Sequence, residues 1–355
     1  MFTRVSKSVS DAGLHLMNFD NAIINGDFSV WQRGESFTCT YGSTKIADMW
    51  YLTTASSVAS IVVTKVTGDG PEDQDFLRIT TSTPETDDSW SDFTTLIEGL
   101  NIRTFKYKPI CVSFWIRSSI TGTMSISLRS VTGVYSCVRE ITINQANTWE
   151  KKEILALPSL STIGLEYFTF DNTKGLTISC CLSANSSRKT SNLSMWHIGN
   201  YIAGPNQINF TDTSGVTIDF ANFKINAGNI VTPFEYLPMS ITNLLCKRYY
   251  NVLIETGGIA VLGTGYNGTT TTGRGLLVYD GVEMRTSPTG EAIGTFKILS
   301  RNTYYTISDL SLFPTRYGRT VYTYGLTAAA VQGEGHLITT GGDDTCKIAL
   351  NADFV

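Results

Sequence analysis

The sequence predicts an all-β, antiparallel protein, and three observations carry that reading. Apolar and polar residues alternate with a period of two in many short segments; turn-forming clusters separate the segments; and no stretch sustains a 3.6-residue apolar period. Charged residues make up only 16% of the chain, below the roughly 25% of ordinary soluble proteins, and Thr, Ser, Gly, Asn and Tyr take their place. Such a composition suits strands whose outer faces carry hydroxyls instead of charges.

Taken in order, "ASIVVTKVTG" alternates first. "ICVSFWIRSS" sets Cys111, Ser113 and Trp115 against Val112, Phe114 and Ile116, and "GTMSISLRSV" places Met124, Ile126 and Leu128 on one face. "REITIN", "KGLTISCCLSA" and "GVTIDFANFKI" continue the period, each segment reading as a half-buried strand. The intervening "TGDGPEDQ", "STPETDD", "SITGT", "DNTKG" and "SANSSRKTSN" are turn or loop chemistry. Strands so spaced, without interleaved helices, form a sandwich or barrel.

At 355 residues the expectation is two domains. All six tryptophans precede "VTPFEYLPMSITNLLCKRYYNV", where Pro233 and Pro238 bracket an extended piece. "SITNLLCKRYY" is the best helix candidate, and the texture beyond it turns rich in Gly and Thr, so the boundary is placed near residue 240. A net charge of −4 and a pI near 5.5 argue against a nucleic-acid partner, whose phosphates select a basic face. "MFTRVSKSVSDAGLHLMNFD" has no apolar run of signal-peptide length, and no later segment reaches a membrane span. The expectation is a chain folded in a cytosol, with no membrane insertion. The seven cysteines (Cys39, Cys111, Cys137, Cys180, Cys181, Cys246, Cys346) include no C-x-x-C pair and read as buried free thiols in strands.

The opening stretch "NAIINGDFSVWQRGESF", followed by "IADMWY", resembles the start of a group of bacteriophage tail-fibre and receptor-binding proteins, with its I-N-G-D-F-x-x-x-Q-R-G pattern and later D-R-W-like element. "LIEGLN", "VSFWIRSSITGTMSISL" and "NTWEKKEI" look like central strands of that group's jelly-roll, carbohydrate-binding-module-like domain. "TPFEYLP", "LLCKRYYN" and "VEMRTSPT" are similar to its later P-F-E-x-R-P, C-x-R-Y-Y and M-R-x-x-P-T elements. Met49 and Leu237 depart from the pattern, each standing where a basic residue is usual. The resemblance spans nearly the whole chain after residue 20. It implies an antiparallel jelly-roll sandwich followed by a smaller C-terminal β-sandwich: an attachment arm over residues 1–20, a jelly-roll over 21–238 and a tip domain over 239–355. It implies a homotrimeric virion fibre that docks on other virion proteins through its N-terminus and binds a host surface glycan or protein. The alternatives are a purely structural virion component and a glycan-degrading tailspike.

In physical terms Asn25-Gly26 supplies a tight turn, Phe28 and Val30 close a core edge, Trp31 and Trp50 seal its end, and Asp27 and Arg33 either pair or satisfy loop backbone. "GTGYNG" fits G-x-G-x-x-G at Gly263, Gly265 and Gly268, but "TTTTGRG" is a poor helix start, so a hairpin loop is expected instead of a dinucleotide site. Asp69, Glu72, Asp73 and Asp75 crowd one loop; they are the candidate ligands for a structural calcium, with a solvated acidic loop favoured. Asp87-Asp88 and Asp343-Asp344 are adjacent pairs that point to opposite faces, unlike the facing acids of a glycosidase. His336 lies near Glu334 and Asp343 in sequence, yet no nucleophile motif appears, and no enzyme is expected. Receptor contact is placed at "RNTYYTISDLSLFPTRYGRTVYTYG", with Arg316, Tyr317 and Arg319 on an exposed turn and Tyr304, Tyr305, Tyr322 and Tyr324 on strands beside it.

Overall fold

The computed structural model describes residues 20–255, 261–278, 282–316, 319–340 and 346–354. The arm predicted over residues 1–20 lies outside them except for Asp20. Contacts divide the described chain into two units. The first comprises residues 20–29, Ser36–Thr44 and Tyr51–Met239; the second takes Val30–Glu35, Lys45–Trp50 and the chain from Ser240 onward. Two short N-terminal segments thus belong to the second unit, which the sequence did not signal.

The first unit is a sandwich of two antiparallel sheets, with strands numbered in chain order. One sheet runs β1 (Ser36–Cys39), β4 (Ser60–Val66), β5 (Phe76–Thr83), β13 (Thr217–Ala227), β7 (Ile110–Ser118), β10 (Glu150–Leu157). The other runs β12 (Trp196–Ile198), β9 (Tyr135–Ile143), β8 (Gly122–Arg129), β11 (Lys174–Ser183), β6 (Ser91–Glu98), β3 (Trp50–Thr54), β2 (Gly42–Lys45). Aromatics from both sheets meet in the core. Phe93 of β6 stacks on Phe220 of β13 at 5.0 Å between centroids, and Phe114 of β7 stacks on Phe223 at 4.6 Å. All four are buried, and such pairs add stability beyond the area they remove from water.

The N-terminal Asn-Gly motif docks on an irregularity of β13, where the register shifts between Ala221 and Lys224 and Asn222 has φ 51°. Asn21 bridges the site: its side-chain amide donates to the Phe223 carbonyl, and its oxygen accepts from the Ile225 amide at 3.0 Å. The Phe223 amide in turn donates to the Gly26 carbonyl at 2.7 Å. A side chain at Gly26 would place its Cβ 2.1 Å from the Phe223 oxygen, so only glycine fits this close approach. Phe28 is buried against Phe93.

Beyond residue 239 the second unit continues with helix α1 (Met239–Lys247), which covers the first part of the predicted "SITNLLCKRYY". A three-stranded sheet follows, ordered β14 (Tyr250–Glu255), β22 (Lys347–Asn351), β17 (Thr289–Ile293). Six strands close into a barrel: β15 (Val261–Asn267), β16 (Thr272–Val278), β20 (Arg319–Leu326), β19 (Thr303–Pro314), β18 (Lys297–Ser300), β21 (Gly335–Thr339), with β21 pairing back onto β15. Closure removes free sheet edges, a way all-β architectures avoid unpaired backbone. All seven cysteines are buried free thiols.

Asp27 and Arg33 do not pair; of the two expectations, it is the satisfied loop backbone that holds for Asp27, which accepts from the Ser29 amide at 3.4 Å. The Asp27 carboxylate accepts from the Ser29 hydroxyl at 3.0 Å, being two residues away in a turn. Arg33 instead pairs with Asp353, whose carboxylate also lies 3.2 Å from Lys45, and the Arg33 guanidinium sits 3.5 Å over the Tyr250 ring. Beside it, Gln32 donates from its amide to Asp48 at 2.7 Å and from its side chain to Asp48 and the Tyr250 carbonyl, while its oxygen accepts from Val252. Burial pushes the Asp48 carboxyl up to about 6 against these hydrogen bonds. The Asp353 side chain is only 3% exposed, so removing its main cation leaves a buried charge poorly compensated. Arg33→Ala is therefore expected to destabilise the second unit by about 3 kcal/mol, read as a lower urea midpoint by tryptophan fluorescence; an unchanged midpoint would show that Lys45 alone suffices.

Candidate functional site

The residues predicted to meet a receptor go to different places. Arg316 is half-buried, its Nε donating to the Met284 carbonyl and its Nη2 paired with Glu283, both at 2.9 Å. Tyr317 lies outside the described residues, as does the side chain of Arg319. Tyr304 is exposed, whereas Tyr305 is half-buried against the barrel core. Tyr322 and Tyr324 do share a face of β20, but alternation turns that face inward and the closed barrel buries both rings. Both are core residues, Tyr322 fully enclosed and Tyr324 forming part of the floor of the cleft described below.

The acidic loop is likewise spoken for. Asp69 pairs with Arg117 at 3.1 Å, Asp75 lies 3.6 Å from Lys65, Glu72 accepts from the Tyr236 hydroxyl, and Asp73 adopts φ 57°. Among the described residues no three His, Cys, Asp or Glu side chains converge as a metal site would require. Glu334 pairs with Arg301 instead of approaching His336. Asp343 and Asp344 lie outside the described residues. The Gly263, Gly265 and Gly268 motif is the β15–β16 hairpin, with its first two glycines in β15 and the third in the turn.

Those glycines explain the barrel interior. Gly265 faces His336 and Gly275, and Gly275 faces Tyr322, while Gly273 faces Tyr324 across the ladder. A Cβ at Gly273 would lie 2.1 Å from the Tyr324 hydroxyl, one at Gly275 2.3 Å from that of Tyr322, and one at Gly265 2.8 Å from the His336 ring. Small residues on β15 and β16 thus make room for three rings from β20 and β21. The Tyr322 hydroxyl is 2.9 Å from His336 Nε2, the Tyr324 hydroxyl is 3.2 Å from Nδ1, and Tyr324 donates on to the Asn267 side-chain oxygen. One neutral tautomer satisfies the whole chain: Tyr322 donates to Nε2, Nδ1–H donates to Tyr324, and Tyr324 donates to Asn267.

Outside the barrel, at the hairpin end, lies a cleft of about 500 Å³. Tyr266, Arg274 and Thr323 stand in register on three neighbouring strands, and Asp309 follows a bulge in β19. Thr269 and Thr272 close the hairpin side with hydroxyls 2.7 Å apart, and Gly268, Gly273 and Gly325 keep the walls low. The Tyr266 ring is 42% exposed, and Arg274 fixes it by donating from Nε to its hydroxyl at 2.6 Å. Asp309 is exposed and, among the described residues, its carboxylate has no hydrogen-bond or ion-pair partner. An open aromatic face, a free acceptor, a guanidinium and several hydroxyls suit a polar ring with apolar C–H faces. Asp309, Thr323 and Tyr324 of the cleft lie within the receptor-contact stretch expected from the sequence, whereas Tyr266 and Arg274 lie outside it, carried by the lone tyrosine in "GTGYNG" and the arginine of "TTGRG".

No family model matches the chain, and no curated protein matches it. Among solved structures it is similar to the enzymatically active domain of tailspike protein 4 of bacteriophage CBA120, at 12% identity and a TM-score of 0.33, covering 59% of this chain and 22% of that one. It is also similar to TmCBM61 in complex with β-1,4-galactotriose (10% identity, TM-score 0.30, 58% of this chain and 98% of that). A third is a family 11 carbohydrate-binding module from Clostridium thermocellum in complex with a β-1,3-1,4-mixed-linked tetrasaccharide (15% identity, TM-score 0.30, 55% and 100%).

Burial lowers the His336 pKa from its ordinary 6.5 to about 4. The unfolded chain therefore binds a proton between these values that the folded barrel does not, and stability present above pH 6.5 is lost as pH falls toward 4. Asp48, raised to about 6, works in the opposite direction over the lower part of that window, so the His336 contribution is read as a difference: the wild-type thermal midpoint should drop relative to that of His336→Gln as pH falls from 6.5 to 4, and parallel profiles would assign the dependence to other groups.

Proposed function

We propose that this chain is a non-catalytic bacteriophage fibre protein that binds a host surface glycan through the Tyr266 cleft. The observation that carries the reading is the cleft's combination of an exposed, hydrogen-bond-fixed aromatic ring with an unpaired carboxylate. A pyranose laid on Tyr266 buries its C–H face, while two neighbouring sugar hydroxyls donate to Asp309 and Arg274 donates to a ring or hydroxyl oxygen. Hydrolysis of a glycosidic bond calls for two carboxyl groups across the bond, and among the described residues Asp309 is the cleft's one carboxylate, which favours binding. The virion placement rests on the ordered motifs from "IINGDF" to "VEMRTSPT".

Tyr266→Ala and Asp309→Asn are each expected to weaken binding of the full chain on a glycan array by about tenfold, the scale of one charged hydrogen bond or aromatic anchor. Host-cell adsorption should fall in parallel while the thermal melt stays unchanged. Binding and adsorption unaltered in both folded variants would refute the cleft as the receptor site.

We further propose that the fibre is a homotrimer joined through the second unit, with residues 1–19 docking on another virion protein. Leu276, Val321 and Phe313 lie in register on three adjacent strands of the barrel's outer face and are 39%, 43% and 56% exposed. A contiguous apolar row of this kind is a subunit-contact signature. Light scattering of the wild type should report a trimer and that of Leu276→Asp/Phe313→Asp a monomer; a wild-type monomer at micromolar concentration would overturn the proposal.

A further inference from the structure

The seven-stranded sheet of the first unit turns an unusually polar face away from the aromatic core. The register sets Arg129, Thr177 and Leu96 in one row and Ser127, Ser179 and Thr94 in the next, with Cys181 opposite Asp92 beyond them. Directly opposed residues send their side chains to the same face. Much of that face is roofed by the segment spanning residues 185–212. The Gly204 amide donates to the Ser125 hydroxyl, the Gln207 side chain accepts from the Ser125 amide, and the Asn206 amide donates to Glu140.

At the rim of this roof the charges do not balance. Arg129 Nη2 donates to Asp92 at 2.8 Å and to the Ser179 hydroxyl, and its Nη1 reaches the Asn200 side-chain oxygen at 3.4 Å. The Asn200 backbone carbonyl accepts from Arg188 Nη1 at 3.1 Å, so one residue tethers two guanidiniums. Arg188 lies 4.5 Å over the Trp90 ring. Lys174, half-buried on the same strand as Thr177 and Ser179, stands opposite Glu98 in the register. Among the described residues its ammonium has no ion-pair or hydrogen-bond partner. Lys189, nearby in sequence to Arg188, donates to the Gln207 carbonyl. Among the described residues Asp92 is the carboxylate that bonds Arg129, and Glu98 is the one set opposite Lys174 in the ladder.

Two further atoms have no partner. Arg129 Nε and the Ser127 hydroxyl are buried without a hydrogen bond. Burial, and then the charge of Arg129, lower the pKa of both Lys174 and Arg188. A half-buried cation beside another cation is costly unless an anion joins them.

We propose that this face is a second binding site, separate from the barrel cleft, which takes the anionic group of an acidic saccharide between Lys174, Arg129 and Arg188. A carboxylate or sulfate oxygen accepts from the Lys174 ammonium and from the remaining guanidinium protons, making the charge-assisted bonds that the protein leaves open. Arg188 is held in place by Trp90 and the Asn200 carbonyl, so little ordering is required of it on binding.

The test is calorimetric titration of the full chain with tri-galacturonate at two salt concentrations, with neutral galactotriose and inorganic sulfate alongside. The wild type should bind the uronate more weakly at high salt and bind neither comparison compound comparably. Lys174→Gln and Arg188→Gln should each weaken uronate binding by about tenfold and reduce the salt dependence, while Lys174→Arg retains most of it and all three keep the wild-type melt. Tyr266→Ala should leave uronate binding unchanged, which separates this site from the cleft. Absent uronate binding, or binding indifferent to both glutamine variants, would overturn the proposal. Galactotriose bound equally well would refute recognition by charge, and sulfate bound equally well would refute the saccharide in favour of a small inorganic anion.

Discussion

The second unit depends on a carboxylate that almost no water reaches. Asp353 is held by Arg33 and by Lys45, and the guanidinium of Arg33 covers Tyr250 of β14. Gln32, one residue earlier, ties Asp48 to the Tyr250 carbonyl and to the Val252 amide, and the Lys347 ammonium donates to the Gln32 carbonyl at 2.8 Å. Arg285 completes the end of the chain, donating to the Ala352 and Asp353 carbonyls while lying over Phe354. A buried carboxylate is tolerable only when cations and donors surround it. Here they come from two short pieces far from it in sequence, and the barrel and its small sheet are assembled around that arrangement.

Sandwich strands were legible because each buries one face against a neighbour, and burial on one side imposes a period of two. "GTMSISLRSV" reads correctly for that reason: Met124, Ile126 and Leu128 are fully buried. The same rule carried no information about which face was which at "VYTYG". Tyr322 and Tyr324 alternate with Val321 and Thr323, and both faces are plausible for a tyrosine. What settles the matter is a set of glycines on β15 and β16, remote in sequence, whose missing side chains make the cavity that the rings fill.

Gln32, Arg33 and Asp48 were equally opaque. Tyr250, the partner of Gln32, and Asp353, the partner of Arg33, lie more than two hundred residues away, and no local pattern announces a contact of that range. Asp27 and Arg33 looked like partners because they were close in the chain. A turn at Asn25-Gly26 instead returns Asp27 to Ser29, while residues 30–35, Arg33 among them, belong to the second unit. The cleft was hidden for a related reason. Tyr266, Thr323 and Asp309 come from three strands, and only pairing of those strands brings them together.

The span between Arg33 and Asp353, 320 residues, also sets an order of events during synthesis. The segment carrying Gln32 and Arg33 leaves the ribosome ahead of its partners, the last of which arrives only after the sandwich strands and most of the barrel have been made. Domains fold as they emerge, and non-local contacts are slow to form. The sandwich can therefore close around β13 while residues 30–35 and 45–50 still wait in solvent. Through that interval they are the accessible stretch for proteases and chaperones. β22 is the central strand of its sheet and follows both its neighbours in the chain, so a chain stalled before it leaves both neighbouring edges unpaired and is open to quality control.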